Sequence, residues 1–69
     1  MQPTEAQREF ALRRLVVVRA HKARLGHEIA TRAQRVAVRA LRAGDSSHRA
    51  AQSALGPYLP GTAQQGGAQ

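Results

Sequence analysis

Cysteine is absent from this sequence, and so is tryptophan. Without cysteine there is no disulfide framework and no thiolate metal site. Phe10 and Tyr58 are the only aromatic residues, so no strand carries the stacking platforms that grip single-stranded nucleic acid. Acids are scarce: Glu5, Glu9, Glu28 and Asp45 complete the set. Glu5 and Glu9 sit where a helix N-terminus favours negative charge, and no pair remains for carboxylate acid–base catalysis. The longest run of large apolar residues is Leu15 to Val18. That is far too short for a membrane span or the core of an export signal, so the expected setting is the cytoplasm.

Catalytic and metal-binding patterns are equally sparse. His27-Glu28 begins like a helical zinc-protease motif, but the residue four after His27 is Thr31, so the second ligand is missing. His21 and His27 are six apart and fall on different faces of a single helix, which argues against a shared metal. Asp45, Ser46, Ser47 and His48 are adjacent in sequence, which does not build a nucleophile–base pair, and helix capping accounts for them better. There is no phosphate-cradling glycine loop. The expectation is a protein without enzymatic activity, cofactor, metal or small-molecule substrate.

What the chain has in abundance is arginine and alanine. Ten Arg and one Lys face four acids, giving a net charge of +7 and a pI near 11.8. Such an excess suggests an anionic partner. Fourteen residues are Ala, whereas Leu, Ile, Val and Phe number 13 of 69. A domain this small with so little large apolar surface is marginal alone. A protein partner or a second copy is therefore expected to help it fold.

Residues 4 to 43 read as helix throughout. Thr4 with Gln7 three positions on forms a capping-box signal, and Gly44 marks a C-terminal cap. On one continuous wheel, Ala11, Leu15, Val18, Leu25, Ile29, Ala33, Val36 and Ala40 share a side. Arg13, Arg14, Arg24, Arg32, Arg35, Arg39 and Arg42 share the other. One architecture is therefore a single helix of about 40 residues, roughly 60 Å long. The other, which is favoured, is an antiparallel helical hairpin of residues 4–25 and 27–43 turning at Gly26-His27. A polar stretch flanks that glycine, and the register works: Ala23 meets Ala30, Ala20 meets Ala33, Val16 meets Ala37 and Leu12 meets Leu41. Glu9 then comes within reach of Arg42.

Folded this way, Leu15, Val18, Leu25, Ile29 and Val36 form a strip that needs a cover. A short third helix, about 47–55, capped by Ser46 or Ser47 and ended by Gly56-Pro57, is the candidate within the chain. Tyr58 and Leu59, held extended between prolines, are a second. Residues 1–59 then make one small helical domain, and 60–69, rich in Gly and Gln, a disordered tail.

Two surfaces follow, and each implies a function. Arg at 32, 35, 39 and 42 repeats at helical spacing, with Arg24, Arg13 and Arg14 extending the edge. Guanidinium forks suit phosphate, so the first reading is RNA or DNA contact without strong sequence readout. A charged helix face can also be merely solvated, or meet an acidic protein. The alternative reading is a protein-interaction subunit (adaptor, chaperone or inhibitor) acting through Leu15, Val18, Leu25, Ile29 and Val36. Membrane-surface binding is disfavoured, because the apolar face lacks Trp and is poor in large side chains.

Overall fold

The computed structural model describes residues 2–59. Within them the chain is all-helical. Helix α1 spans Glu5–Lys22, α2 spans His27–Arg42 and α3 spans Ser47–Leu55, followed by a 3-10 turn over Gly56–Tyr58. Helices α1 and α2 form the antiparallel hairpin, and α3 packs against both. The continuous forty-residue helix is excluded, because α1 stops at Lys22. The tail expected at 60–69 lies outside the described residues.

The first helix starts on the capping box anticipated from sequence. Thr4 Oγ1 accepts the Gln7 amide N–H at 3.1 Å, and the Gln7 side-chain oxygen accepts the Thr4 N–H at 2.8 Å. Two otherwise orphaned donors are thereby satisfied. Glu5 lies in the first turn and Arg19, His21 and Lys22 in the last, an arrangement that complements the helix dipole. The run Val16-Val17-Val18 is a poor helix former. Packing outweighs propensity there: Val16 is fully buried, Val17 half-buried and Val18 exposed.

The core follows the hairpin register rather than the continuous wheel. Leu12, Val16 and Ala20 of α1, Ala30, Ala33, Ala37 and Leu41 of α2, and Ala50, Ala51, Ala54 and Leu55 of α3 form one buried cluster. Leu15, Leu25, Ala40 and Leu59 pack on its margin. Small residues near the α1–α2 turn let the backbones approach, and Leu12 and Leu41 fill the wider end. The wheel assigned Ala11 and Val18 to the apolar side, yet both are exposed. A wheel drawn through the turn adds helical phase that the folded chain does not have.

The turn itself differs from expectation. Gly26 is not the residue that reverses the chain; it is the N-cap of α2, with φ −71° and ψ 167°, a conformation open to any residue. Helix α1 ends three residues before the expected boundary at Leu25, in a double hydrogen-bonded cap. Arg24 N–H donates to His21 C=O at 3.0 Å, and Leu25 N–H to Ala20 C=O at 2.9 Å. This pattern needs a left-handed residue between them, and Arg24 supplies it at φ 60°. The α2–α3 connection repeats the device twenty positions later. Gly44 N–H donates to Leu41 C=O at 3.0 Å and Asp45 N–H to Ala40 C=O at 3.1 Å, with Gly44 at φ 112°. Ser46 then caps α3, its hydroxyl accepting the Arg49 N–H at 3.2 Å. The two turns are one geometry with different occupants. In the second, glycine stands where the left-handed residue is required and serine where the cap is required.

Past α3 the chain does not run extended through both residues as the flanking prolines suggest. Tyr58 belongs to the 3-10 turn, while Leu59 is extended and folds back against the core.

The mismatch in the first turn is testable by stability measurement. A non-glycine left-handed residue costs roughly 1–2 kcal/mol, partly offset by the greater chain entropy that glycine brings to the unfolded state. Arg24→Gly is expected to raise stability by about 0.5–1 kcal/mol in chemical denaturation, and Gly26→Ser by a few tenths. A Cβ at position 26 meets nothing within 4 Å. Gly44→Ala should destabilise, since its φ lies deep in the glycine region. Destabilisation by Arg24→Gly would show that the side chain of Arg24 outweighs its backbone strain.

Candidate nucleic-acid interface

Helices α1 and α2 meet along a groove to which α3 contributes nothing. Its volume is about 510 Å³, and Arg13, Thr31, Gln34, Arg35, Val38, Arg39 and Arg42 line it. Val38 is nearly fully buried but stands apart from the main core, and it provides the apolar side of the groove. The helical repeat explains the lining. Positions 31, 35, 38 and 42 of α2 recur at spacings of four, three and four, so they stack on one face. Arg13 reaches the groove from α1.

One acid moderates this cluster. Glu9 accepts a bidentate pair of hydrogen bonds from Arg42, Nε to Oε2 at 2.9 Å and the terminal nitrogen to Oε1 at 3.0 Å. A terminal nitrogen of Arg13 lies 3.9 Å from Oε1 of the same carboxylate. The contact joins residues 33 positions apart, so it clasps the open end of the hairpin opposite the turn. The donated hydrogen bond from Arg42 holds the Glu9 carboxyl below its ordinary value of 4.5, and the positive charges of Arg42 and Arg13 act in the same direction. Burial opposes the hydrogen bond and outweighs either charge taken singly, but the net direction stays downward.

The seven arginines singled out from sequence are all exposed, but the fold sorts them. Arg13, Arg35, Arg39 and Arg42 surround the groove. Arg14 borders an adjoining concavity on α1, and Arg32 a shallower one near the start of α2 that also includes Arg35. Arg24 stands apart, in the turn. Among the described residues, Arg14, Arg24, Arg32, Arg35 and Arg39 have no carboxylate within 4 Å. The cationic surface is therefore centred on the α1–α2 groove, with Arg24 as an outlier.

The proposed interaction strip is largely consumed by the fold. Leu15 and Leu25 pack on the core, and Leu25 lies in the turn rather than on a helix. Ile29 is half-buried, leaving Val18 and Val36 exposed.

Three residues take positions that linear spacing does not indicate. Six positions apart on one helix, His21 and His27 would lie on different faces. The turn between them instead brings both to a single cavity of about 200 Å³, with Val17, Leu25, Ala30 and Gln34. Among the described residues no group of three metal-ligating side chains forms there or elsewhere. Gln34 borders this cavity, the arginine groove and the concavity beside Arg14. Its central position depends on the packing of α1 on α2, for which a linear pattern holds no signal. No helix among the described residues is long and apolar enough to cross a membrane.

The Glu9 clasp predicts a specific dependence on acidity. A carboxyl whose folded value is depressed adds stability above its unfolded value and loses it as the pH falls through the folded value. Wild type should therefore melt above Glu9→Gln at pH 7, and the gap should close as the pH falls from about 5 to below the depressed value. A gap that stays constant across that range would mean the ionised pair contributes nothing.

No protein-family model matches this chain, and comparison with curated proteins and with solved structures likewise returns no match.

Proposed function

We propose that this chain is a small non-enzymatic binding protein whose arginine-lined groove holds the phosphate backbone of a nucleic acid, RNA or DNA, without strong sequence readout. The observation that carries the reading is the convergence of Arg13, Arg35, Arg39 and Arg42 on one concave surface with a single acid, Glu9, among them. Guanidinium groups that repel one another in the free protein gain by sharing a polyanion. Concavity favours an extended ligand that several of them touch at once, over isolated counterions. Each phosphate neutralised releases condensed counterions, so affinity falls steeply with salt. Sequence readout is not expected, because the groove presents guanidinium groups and one amide rather than a recognition helix with a fixed set of base-edge contacts.

Contact with a protein through the apolar strip is the weaker reading. Val18 and Val36 remain exposed, but the rest of the strip is packed or half-buried. A protein partner held there would survive high salt, since apolar contacts are not screened.

Fluorescence anisotropy with labelled oligonucleotides across a salt series tests the proposal. Binding in the range of roughly 1 to 100 μM near physiological salt, tightening as salt is lowered, is the expected result. The double variant Arg35→Gln/Arg39→Gln should lower the slope of log affinity against log salt by about 1.5. The control Arg8→Gln/Arg49→Gln removes the same charge from exposed positions outside the groove and should change it much less. Glu9→Gln, by releasing Arg42, should tighten binding. Equal loss in both double variants would mean that net charge, not the groove, attracts the oligonucleotide.

A further inference from the structure

Among the described residues Phe10 is the most exposed of the large apolar side chains, with 64% of its surface open to solvent. It lies on α1, outside the core cluster. An exposed phenylalanine alone is unremarkable. This one, however, borders a concavity of about 320 Å³ with Arg13, Arg14, Val17 and Gln34. Two of those residues, Arg13 and Gln34, also line the arginine groove, so the recess opens directly beside the phosphate-binding surface. The side-chain hydrogen bonds among the described residues belong to Thr4–Gln7, Glu9–Arg42 and Ser46–Arg49. The amide of Gln34 is thus free to donate and to accept.

We propose that the groove takes single-stranded polynucleotide in preference to duplex, with one unstacked base lying on Phe10 and the neighbouring phosphates on the arginines. This rests on the phosphate-contact reading above and deepens it. The chemistry of the recess is that of a nucleobase: a phenyl face and Val17 for its apolar surface, guanidinium planes that stack as well as bond, and an amide for its edge. A duplex has none of this to offer, because its base faces are stacked inside and only edges and phosphates reach the surface. On the other side of the recess, Arg35 to Arg42 rises about 10 Å along α2, room for about two phosphates of a strand opened beyond its stacked spacing of about 3.4 Å. The site therefore suits a short length of one strand, with its backbone along α2 and one base turned toward α1. Both deoxyribo- and ribo-oligonucleotides fit this description, since the contacts are to base and phosphate.

The experiment compares dT12, rU12 and a 12-base-pair duplex by anisotropy at low salt, with wild type, Phe10→Ala and Phe10→Trp. Wild type should bind each single strand about tenfold more tightly than the duplex, and Phe10→Ala should erase that difference while leaving duplex affinity unchanged. Phe10→Trp should keep the preference or increase it. Circular dichroism checks that each variant stays helical, which an exposed position permits. Equal affinity for strand and duplex, with Phe10→Ala without effect, would overturn the base-stacking proposal and leave phosphate contact standing. Polyglutamate of matched charge competing as well as dT12 would overturn it too, since the site would then be reading charge alone. Absence of binding to every oligonucleotide would defeat the phosphate reading itself, and this proposal with it.

Discussion

Alanine sets the distance between these helices, and most of the molecule follows from that distance. Ala20, Ala30, Ala33 and Ala37 lie in the buried seam of α1 and α2, and Ala50, Ala51 and Ala54 carry α3 into the same cluster. Side chains this short let helices approach at the close end of the usual 8–10 Å range. Each contributes little burial, so the large fully buried residues, Leu12, Val16 and Leu55, supply a disproportionate share of the apolar gain. A seam of one-carbon side chains has no room for a guanidinium. Every arginine on α1 and α2 must leave along the flanks, and those on the side that α3 does not cover converge at the lips of a groove.

Two restraints hold the hairpin to this register. At one end the four-residue turn is fixed by hydrogen bonds to the last carbonyls of α1, independently of any side chain. At the other, Glu9 grips Arg42 with two hydrogen bonds. A slip of α1 along α2 by one helical turn would separate this pair and place Leu12 against a smaller residue. The ion pair is also the one point where the core register and the cationic surface share a residue. Its acid sets the hairpin and at the same time occupies one of the four arginines in the groove.

How far the sequence could be read follows from which features are local. The capping box at Thr4 and Gln7, the glycine cap at Gly44 and the serine cap before α3 are encoded within a few residues, and all three are found. The pairing of Glu9 with Arg42, and the burial of Leu12 and Leu41 in one cluster, were legible because an antiparallel hairpin has a single free parameter, its register. Glycine composition points to Gly26 as the reversing residue, but composition does not report backbone dihedrals. The backbone reverses at Arg24, whose strain is overruled by the cap it completes, and Gly26 occupies an ordinary extended position. The continuous wheel carries helical phase across that same turn, so it puts the exposed Ala11, Val18 and Val36 on its apolar side, whereas the hairpin register names Val16, Ala20, Ala33 and Ala37, all of which are buried. The arginine spacing from 32 to 42 was legible because it lies within one helix. The roles of Gln34, Phe10 and the His21–His27 cavity arise only between helices, and no periodicity reports them.

The groove also bears on the stability of the chain as a whole. Four guanidinium groups around one concave surface repel one another, and only Arg42 is directly matched by a carboxylate, with Arg13 at its edge. Self-repulsion of this kind opposes compaction, and it falls on a domain whose alanine seam gives a small apolar gain. A bound polyanion would remove the repulsion and add contacts present only in the folded chain, so folding and binding are thermodynamically linked. The scarcity of acids and the scarcity of large apolar residues, which look unrelated in the composition, then have one consequence. Both oppose compaction of the free chain, and under the proposed function an anionic partner would be a source of stability as well as a ligand.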